Sequence, residues 1–446
     1  MQNHKDLLQA HQLMTRRVAL ALLCGQPDSP NQPLRRMNTA TVTSIMAGVI
    51  VAAAFGILGL LAPAPATGLT AAGTLVVDQD TATSYVPCDS GKLCPALNYT
   101  SALLALDTTA VSRVAVHQNS LARYPIGPTI GIPGLPQDLP TASNLIKGPW
   151  SVCVAGERTT LVGGESTGGT ALAPGQAVLA ATGGGDAGDW VLWHGERLPV
   201  APQVMQDLFP GGQPAPVPAG WLDALPQGPD FAAPTVPDAG TAVTGPGGMT
   251  ADVGQVFEQA SPAQDFVLEA NGKLASISAT LAALLGTDAG EPKPLPITNA
   301  TATADLSGAT VPDGGLPLTL PRVAPPATTL CVVYDTGLRR SVTSGGTIPA
   351  DAAPATGEAG VDAVWLPSGH GALVGAVPSV QQPATVSSWF LVCGGERFAL
   401  PAQSVASVLG YNLKTSGTML PASVVDLLPQ GPVLAPAAAT ERAGAG

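Results

Sequence analysis

The sequence predicts a single-pass membrane protein with an α+β ectodomain: a β-rich central domain flanked by four hairpin-plus-helix repeats in a pseudo-twofold duplicated arrangement. Three observations carry that expectation: one charge-free apolar stretch near the N-terminus, a hairpin pattern written four times, and a longer order of segments written twice. Composition agrees. Of 446 residues 45% are hydrophobic and only 11% charged, with 52 Gly and 44 Pro. Such a chain is too apolar to be disordered and too rich in turn formers for a helical bundle, so many short strands joined by turns are expected.

The apolar stretch comes first. No charged residue lies between Arg36 and Asp78, and "VTSIMAGVIVAAAFGILGLLA" (Val42 to Ala62) has the length that a bilayer core requires, about 20 residues. A cleaved signal peptide would be shorter and closer to the start, although "LAPAPATG" beyond the stretch does offer Ala-x-Ala sites. Residues 1–36 carry a net charge of +3 and the remainder −15, which by the positive-inside rule puts the N-terminus in the cytoplasm. The expected organisation is a cytoplasmic segment 1–40, amphipathic around "LMTRRVALALL", and a transmembrane helix 41–63. Ectodomain halves 75–245 and 250–436 follow, then a flexible C-terminal tail 437–446.

The hairpins come next. "YVPCDSGKLCPAL" from Tyr85, "WVLWHGERLPVA" from Trp190, "FVLEANGKLASI" from Phe266 and "FLVCGGERFALP" from Phe390 each read strand, Gly-containing turn, strand, and each precedes a short helical stretch. "PAGWLDALPQGP" (Pro218 to Pro229) matches "PASVVDLLPQGP" (Pro421 to Pro432) at eight of twelve positions. Between the first and second hairpins lies "GPWSVCVAGERTTLVGG", and between the third and fourth "ATTLCVVYDTGLRRSVTSGG", both strand-like with a Cys at a corresponding place. The order hairpin, core strands, hairpin therefore occurs twice, as a tandem duplication would write it.

Five of the six cysteines fall after the apolar stretch, on the side where disulfides persist. The spacing of Cys88 and Cys94 allows facing strand positions to bridge across a hairpin turn, and no Cys or His cluster supplies further ligands for a metal. A pseudo-twofold relation between the halves would make Cys153 and Cys331 partners, closing a long loop. Cys393 is left over, either buried in a strand or exposed as a free thiol.

In order along the chain, "HQLMTRRVALALLCGQPDSPNQPLRR", the apolar helix, "GTLVVDQDTATSYVPC", "ALNYTSALLAL", "PIGPTIGIPGLPQDLP", "GPWSVC" and "TLCVVYDTG" resemble the EccB family, a membrane component of the type VII (ESX) secretion system of actinobacteria. The resemblance covers nearly the whole chain. It implies a central β domain with four flanking repeats like those of a phage-lysin cell-wall-binding fold, and a disulfide between the core cysteines that match Cys153 and Cys331. It also implies assembly into an oligomeric membrane complex with other subunits, including an FtsK-type ATPase. Cys88, Cys94 and Cys393 depart from the family pattern, so a Cys88–Cys94 bridge rests on spacing alone.

Catalytic motifs are weighed against the same sequence. No Walker A loop occurs, because the Gly-Lys pairs Gly91-Lys92 and Gly272-Lys273 are each followed by Leu inside a hairpin. "GGGDAG" (Gly183 to Gly188) satisfies the dinucleotide fingerprint only formally, since a strand follows it where a helix is needed. "GESTG" around Ser166 lacks the helix of a nucleophile elbow, and His194 and His370 lie in turns. His4, His11 and His117 have no ligand partners at useful spacing, and Trp190, Trp193 and Trp221 read as core. A net charge of −12 with no basic stripe excludes nucleic acid. The expectation is a structural and assembly subunit of the type VII secretion membrane complex, without catalytic, cofactor-binding or metal-binding residues. Its N-terminal segment would dock on neighbouring subunits. The alternatives are a stand-alone membrane-anchored protein that grips the cell wall, and an ATP hydrolase, as some members of the family are labelled.

Overall fold

A computed structural model describes residues 4–25, 33–61, 68–183, 188–287, 293–335, 338–378 and 385–443. The chain divides into two units, Met1–Thr67 and Gly68–Gly446. The first holds two helices, α1 (His4–Cys24) and α2 (Pro33–Leu61). Within α2, Thr39–Ile57 has a mean hydropathy of 2.0 and no buried surface, long and apolar enough to cross a membrane. The helix starts earlier than its apolar stretch because Pro33 suits a first helical turn and the polar residues after it are good enough helix formers to continue one.

The second unit is β-rich and organised around a seven-stranded sheet. Its centre is made of β1 (Trp150–Ala155), β2 (Arg158–Gly163), β3 (Thr329–Tyr334) and β4 (Arg340–Ser344), paired antiparallel in the order β2-β1-β3-β4. The register sets Cys153 opposite Cys331 and Val152 opposite Val332. Alternating apolar residues explain the strands: Val152, Val154, Leu330 and Val332 enter one buried cluster, and Trp150 and Tyr334 close its end. The edges are exchanged. Thr170–Ala171, which follows β2, pairs with β4, whereas Ala363–Trp365, which follows β4, pairs with β2.

Around this sheet stand four modules with one strand order. In each, a leading strand pairs antiparallel with a hairpin, a helix follows, and a last strand returns parallel to the leading one. The leading strands are Thr74–Asp78, Gln176–Thr182, Val256–Ala260 and Gly371–Val377. The helices are Tyr99–Leu106, Pro202–Leu208, Ala279–Leu285 and Gln403–Val408. Caps start two of them where the sequence changes from period two: Asn98 Oδ1 accepts from the Ser101 amide at 2.8 Å, and Ser278 Oγ from the Leu281 amide at 3.3 Å. The hairpins were legible as strand, turn, strand; the leading and returning strands extend each one to four strands, and Arg322–Val323 and Leu306–Thr310 add a fifth to the second and third modules.

The modules pack in pairs. One apolar cluster joins the first and fourth through Leu75, Val86, Leu103, Leu373, Phe398 and Val405. Another joins the second and third through Leu179, Val191, Leu198, Val256, Val267 and Leu281. Residues 437–443 do not form a free tail. Pro436–Ala439 is a short helix with Ala439 fully buried in the first cluster, the Gly131 amide donates to the Glu441 carbonyl at 3.1 Å, and the Ala443 amide to that of Thr129 at 3.0 Å. Leu434 and the alanines supply apolar surface too small to announce a core segment in the sequence, yet sufficient to fill a gap beside Tyr99–Leu106.

This strap yields a prediction. Ala439→Glu would bury a carboxylate in that cluster, which costs several kcal/mol or expels the strap. Hydrogen exchange should then accelerate in Tyr99–Leu106 and remain slow in Ala279–Leu285; unchanged protection at both places would contradict the packing described.

Candidate functional site

Besides the Gly156-Glu157-Arg158 turn between β1 and β2, the chain has two Gly-Glu-Arg turns, and these meet the two Leu-Pro-Gln-Gly-Pro segments in space, once in the second module and once in the fourth. The second-module turn is Trp193–Glu196, with His194 at φ 54° and Gly195 at φ 76°; the fourth is Cys393–Glu396, with Gly394 at φ 61° and Gly395 at φ 84°. Two consecutive positive φ values are what a type I′ hairpin turn requires, so glycine dominates and His194 occupies the position that His, Asn or Asp tolerate. His194 is an exposed turn residue.

Directly after each turn an arginine is clamped. Arg197 Nη1 donates to Asp223 Oδ1 at 2.9 Å and its guanidinium lies 5.3 Å from the Trp190 ring centre. Arg397 Nη1 donates to Asp426, and its guanidinium lies 5.4 Å from the Phe390 ring. The backbone repeats as well: the Arg197 amide donates to the Pro226 carbonyl at 3.0 Å and the Gly228 amide to the Arg197 carbonyl at 2.9 Å, matched by Arg397 with Pro429 and Gly431 at 2.9 Å each. A Cβ at Gly228 would sit 2.8 Å from a Glu196 carboxylate oxygen, and one at Gly431 would sit 2.3 Å from the Phe398 ring, so the motif needs glycine there. The arginines are largely covered, while both aspartates stay more than half exposed. Ring, carboxylate and backbone thus fix each arginine as a structural pin.

The turns also dock on the central sheet. Arg340, at the start of β4, donates from Nη2 to Glu196 Oε1 at 2.7 Å and from Nε to the Gly195 carbonyl at 2.7 Å. Both side chains are less than a quarter exposed. In the fourth module Glu396 instead accepts from Thr356 Oγ1 at 2.8 Å. Between the second-module Leu-Pro-Gln-Gly-Pro segment and residues 421–427, which precede its fourth-module counterpart, lies a cleft of about 590 Å³, bordered by Asp223, Gln227, Tyr334, Ser423 and Asp426. Its floor is fixed by Tyr334, whose hydroxyl donates to the Ala224 carbonyl and whose burial pushes the phenol well above its ordinary range. Trp221 Nε1 donates to the Val152 carbonyl at 2.9 Å, tying the second-module segment to β1.

The structure brings the cysteine pairs together. Cys153 and Cys331 have Cα atoms 4.0 Å apart with a sulfur–sulfur distance of 2.05 Å, and Cys88 and Cys94 have Cα atoms 5.8 Å apart with a sulfur–sulfur distance of 1.97 Å. The register of the second pair differs from the facing arrangement expected. Cys88 faces Lys92 and Cys94 faces Val86, because a 3₁₀ turn over Asp89–Gly91 lengthens the connection and makes the contact diagonal. Cys393 is buried in its strand, and burial, with Glu396 as a lesser cause, pushes its thiol up to about 12.

The remaining motif residues are scattered. Ser166 is exposed and accepts from the Gly168 amide at 3.3 Å within a loop that leads to the short strand Thr170–Ala171. His370 makes a local contact with the Ser368 carbonyl at 3.0 Å. Residues 184–187 of "GGGDAG" lie outside the described residues. Trp221 is core, as read, while Trp190 and Trp193 are half-buried. His117 meets Asp80 at 3.1 Å in an exposed loop. Among the described residues no group of three or more His, Cys, Asp or Glu is placed to hold a metal ion. Sequence reasoning missed Arg340 and Asp223, whose role depends on contacts 144 and 26 residues away.

Comparison with known proteins gives a consistent result. The family model described as type VII secretion system ESX-1, transport TM domain B (EccB), matches residues 2–445. "ESX-5 secretion system ATPase EccB5" of Mycobacterium tuberculosis is 28% identical over 95% of this chain and 90% of its own length. "ESX-2 secretion system ATPase EccB2" of the same organism is 32% identical over 55% of this chain and 52% of its own. Among solved structures, an EccB3 dimer from the ESX-3 core complex matches with a TM-score of 0.66 at 26% identity, covering 82% of this chain and 99% of that one. A chain of an intact ESX-5 inner membrane complex shares the fold, with a TM-score of 0.67 at 23% identity over 100% of this chain and 96% of that one.

The docked turn is testable. Arg340→Ala removes the guanidinium that holds Glu196 and the Gly195 carbonyl, and should cost about 2–3 kcal/mol in urea denaturation of the detergent-solubilised protein. Arg339→Ala, which removes a largely exposed pair with Asp335, should cost less than about 0.5 kcal/mol.

Proposed function

The chain belongs to the EccB family of type VII (ESX) secretion systems, and we propose that it works as a structural subunit, a membrane-anchored platform on which the secretion complex assembles. The observation that carries this reading is where its charges are used. The recurring Arg–Asp and Arg–Glu contacts hold turns against the sheet and against neighbouring segments, as scaffold interactions do. Solved relatives are membrane complexes and a dimer, which favours an oligomeric assembly here too.

Several finer features belong to the same proposal. α2 spans the membrane with residues 1–36 in the cytoplasm, as their net charge of +3 favours, and the second unit lies outside. The four modules and the central sheet derive from a tandem duplication with halves near 75–245 and 250–436. Support comes from the common strand order, the paired arginine clamps and the central register of Cys153 with Cys331. The two cysteine pairs act as oxidised disulfides in that compartment, the core pair closing a loop of 178 residues. An FtsK-type ATPase is the expected partner for energy, with cell wall as a further contact of the modules.

The word ATPase in the relatives' names favours a second reading, hydrolysis by the chain itself. One purification separates the readings. The full-length protein, tagged and extracted in mild detergent from cells that express its secretion system, should emerge in a large assembly with an FtsK-type ATPase, and after separation from it should turn over no ATP above background. A lone monomer retained by peptidoglycan, or ATP turnover that copurifies with the isolated chain, would contradict the proposal.

A further inference from the structure

Helix α1 is exposed over residues 4–22 except at the half-buried Leu20, and its larger apolar residues favour one side. Leu7, Met14, Val18 and Leu22 are 61%, 72%, 59% and 82% exposed, and at 3.6 residues per turn they fall on one side, with Ala10, His11 and Ala21 between them. Lys5, Gln9, Gln12 and Arg16 fall on the opposite side, Leu8 and Arg17 border the apolar side, and Leu13 and Leu20 lie off it.

Two further facts narrow what covers that side. Eight residues separate Cys24 from Pro33, so even a fully extended connection keeps the end of α1 within about 30 Å of the start of α2. At 29 residues α2 is roughly 43 Å long, longer than the ~30 Å hydrocarbon core, which puts its first turns and the sequence neighbours Arg35 and Arg36 at headgroup level. The segment is also cationic, with a net charge of +3 over residues 1–36, the sign that an anionic leaflet attracts.

We propose that α1 is an interfacial helix that lies on the anionic lipid surface beside the membrane helix. Its Leu7–Met14–Val18–Leu22 side enters the acyl boundary and its Lys5–Arg16 side faces the headgroups and water. The inference rests on the reading of α2 as membrane-spanning. It departs from the expectation that neighbouring subunits cover this segment: the short tether brings lipid to α1 in every copy, and the acidic remainder of a second copy, at −15, lies on the other side of the membrane in this reading and is out of reach.

The test uses the full-length protein in nanodiscs of phosphatidylcholine with phosphatidylglycerol. Nitroxide labels are placed at Leu7→Cys, Met14→Cys, Val18→Cys, Gln9→Cys and Gln12→Cys, each in a Cys24→Ser background. The ratio of oxygen to nickel-chelate accessibility should be several-fold higher at positions 7, 14 and 18 than at 9 and 12. The difference should shrink when phosphatidylglycerol is omitted and vanish with Val18→Glu. Equal water accessibility at all five sites overturns the proposal, and so does a pattern that appears only after the other complex subunits are added, which would assign the face to a protein. Failure of the unlabelled protein to enter nanodiscs overturns the reading of α2 itself and is distinguishable from both.

Discussion

Everything in the larger unit depends on the antiparallel contact between β1 and β3. These strands come from parts of the chain nearly 180 residues apart, and their pairing sets Cys153 against Cys331 at the middle of the sheet. Bringing such distant segments together is entropically costly, and the cost is recovered through burial on both sides of the contact. Val152, Val154, Leu330 and Val332 fill the cluster beneath the sheet, while Trp221 and Tyr334 tie β1 and β3 to the second-module segment that holds Asp223. The exchanged edge strands make the dependence mutual. A separated half would lose an edge pairing as well as the central one.

From that centre the modules follow in pairs, first with fourth and second with third, each pair sharing one core. The consequence for function is that each module is held by its neighbour's core rather than standing alone. The clamped arginines act in the same direction, because a guanidinium held by ring and carboxylate, on a main chain bonded to the neighbouring segment, cannot pivot freely. Neutralised charges inside and acidic residues outside suit a platform whose surfaces meet partners. The cleft between the second-module Leu-Pro-Gln-Gly-Pro segment and residues 421–427 fits this description too, since its polar residues Tyr334 and Asp223 are already engaged in holding the fold.

What was legible in the sequence was local. The four hairpins announced themselves because each turn holds a Gly at positive φ between strand-forming residues, in type I′ turns in the second and fourth modules, and α2 because a bilayer demands a long uncharged run. The leading strands were visible only as brief apolar runs such as Leu75–Val77 or Leu373–Val374, too short to separate from loops. Ala215–Pro216 and Leu295–Ile297 exist as strands only because a leading strand offers them an edge. The same reason hides the strap at Pro436–Ala439, whose Ala439 becomes core through contact with Tyr99–Leu106. Asp223 and Asp426 could have been found from the paired motifs, each lying two residues ahead of a Leu-Pro-Gln-Gly-Pro segment that follows a Gly-Glu-Arg turn. Arg340 could not, because nothing near it in the chain signals Glu196.

The central claim is that the β1–β3 pair holds the whole β-rich unit as one body, and native-state hydrogen exchange of the full-length protein tests it most directly. Oxidised protein should show Val152–Val154 and Leu330–Val332 among its slowest amides, opening only in a transition that also exposes both module pairs. A Cys153→Ser/Cys331→Ser variant should lower the free energy of that shared opening by about 3–5 kcal/mol. Module pairs that exchange independently, with β1 and β3 opening ahead of either, would contradict the account.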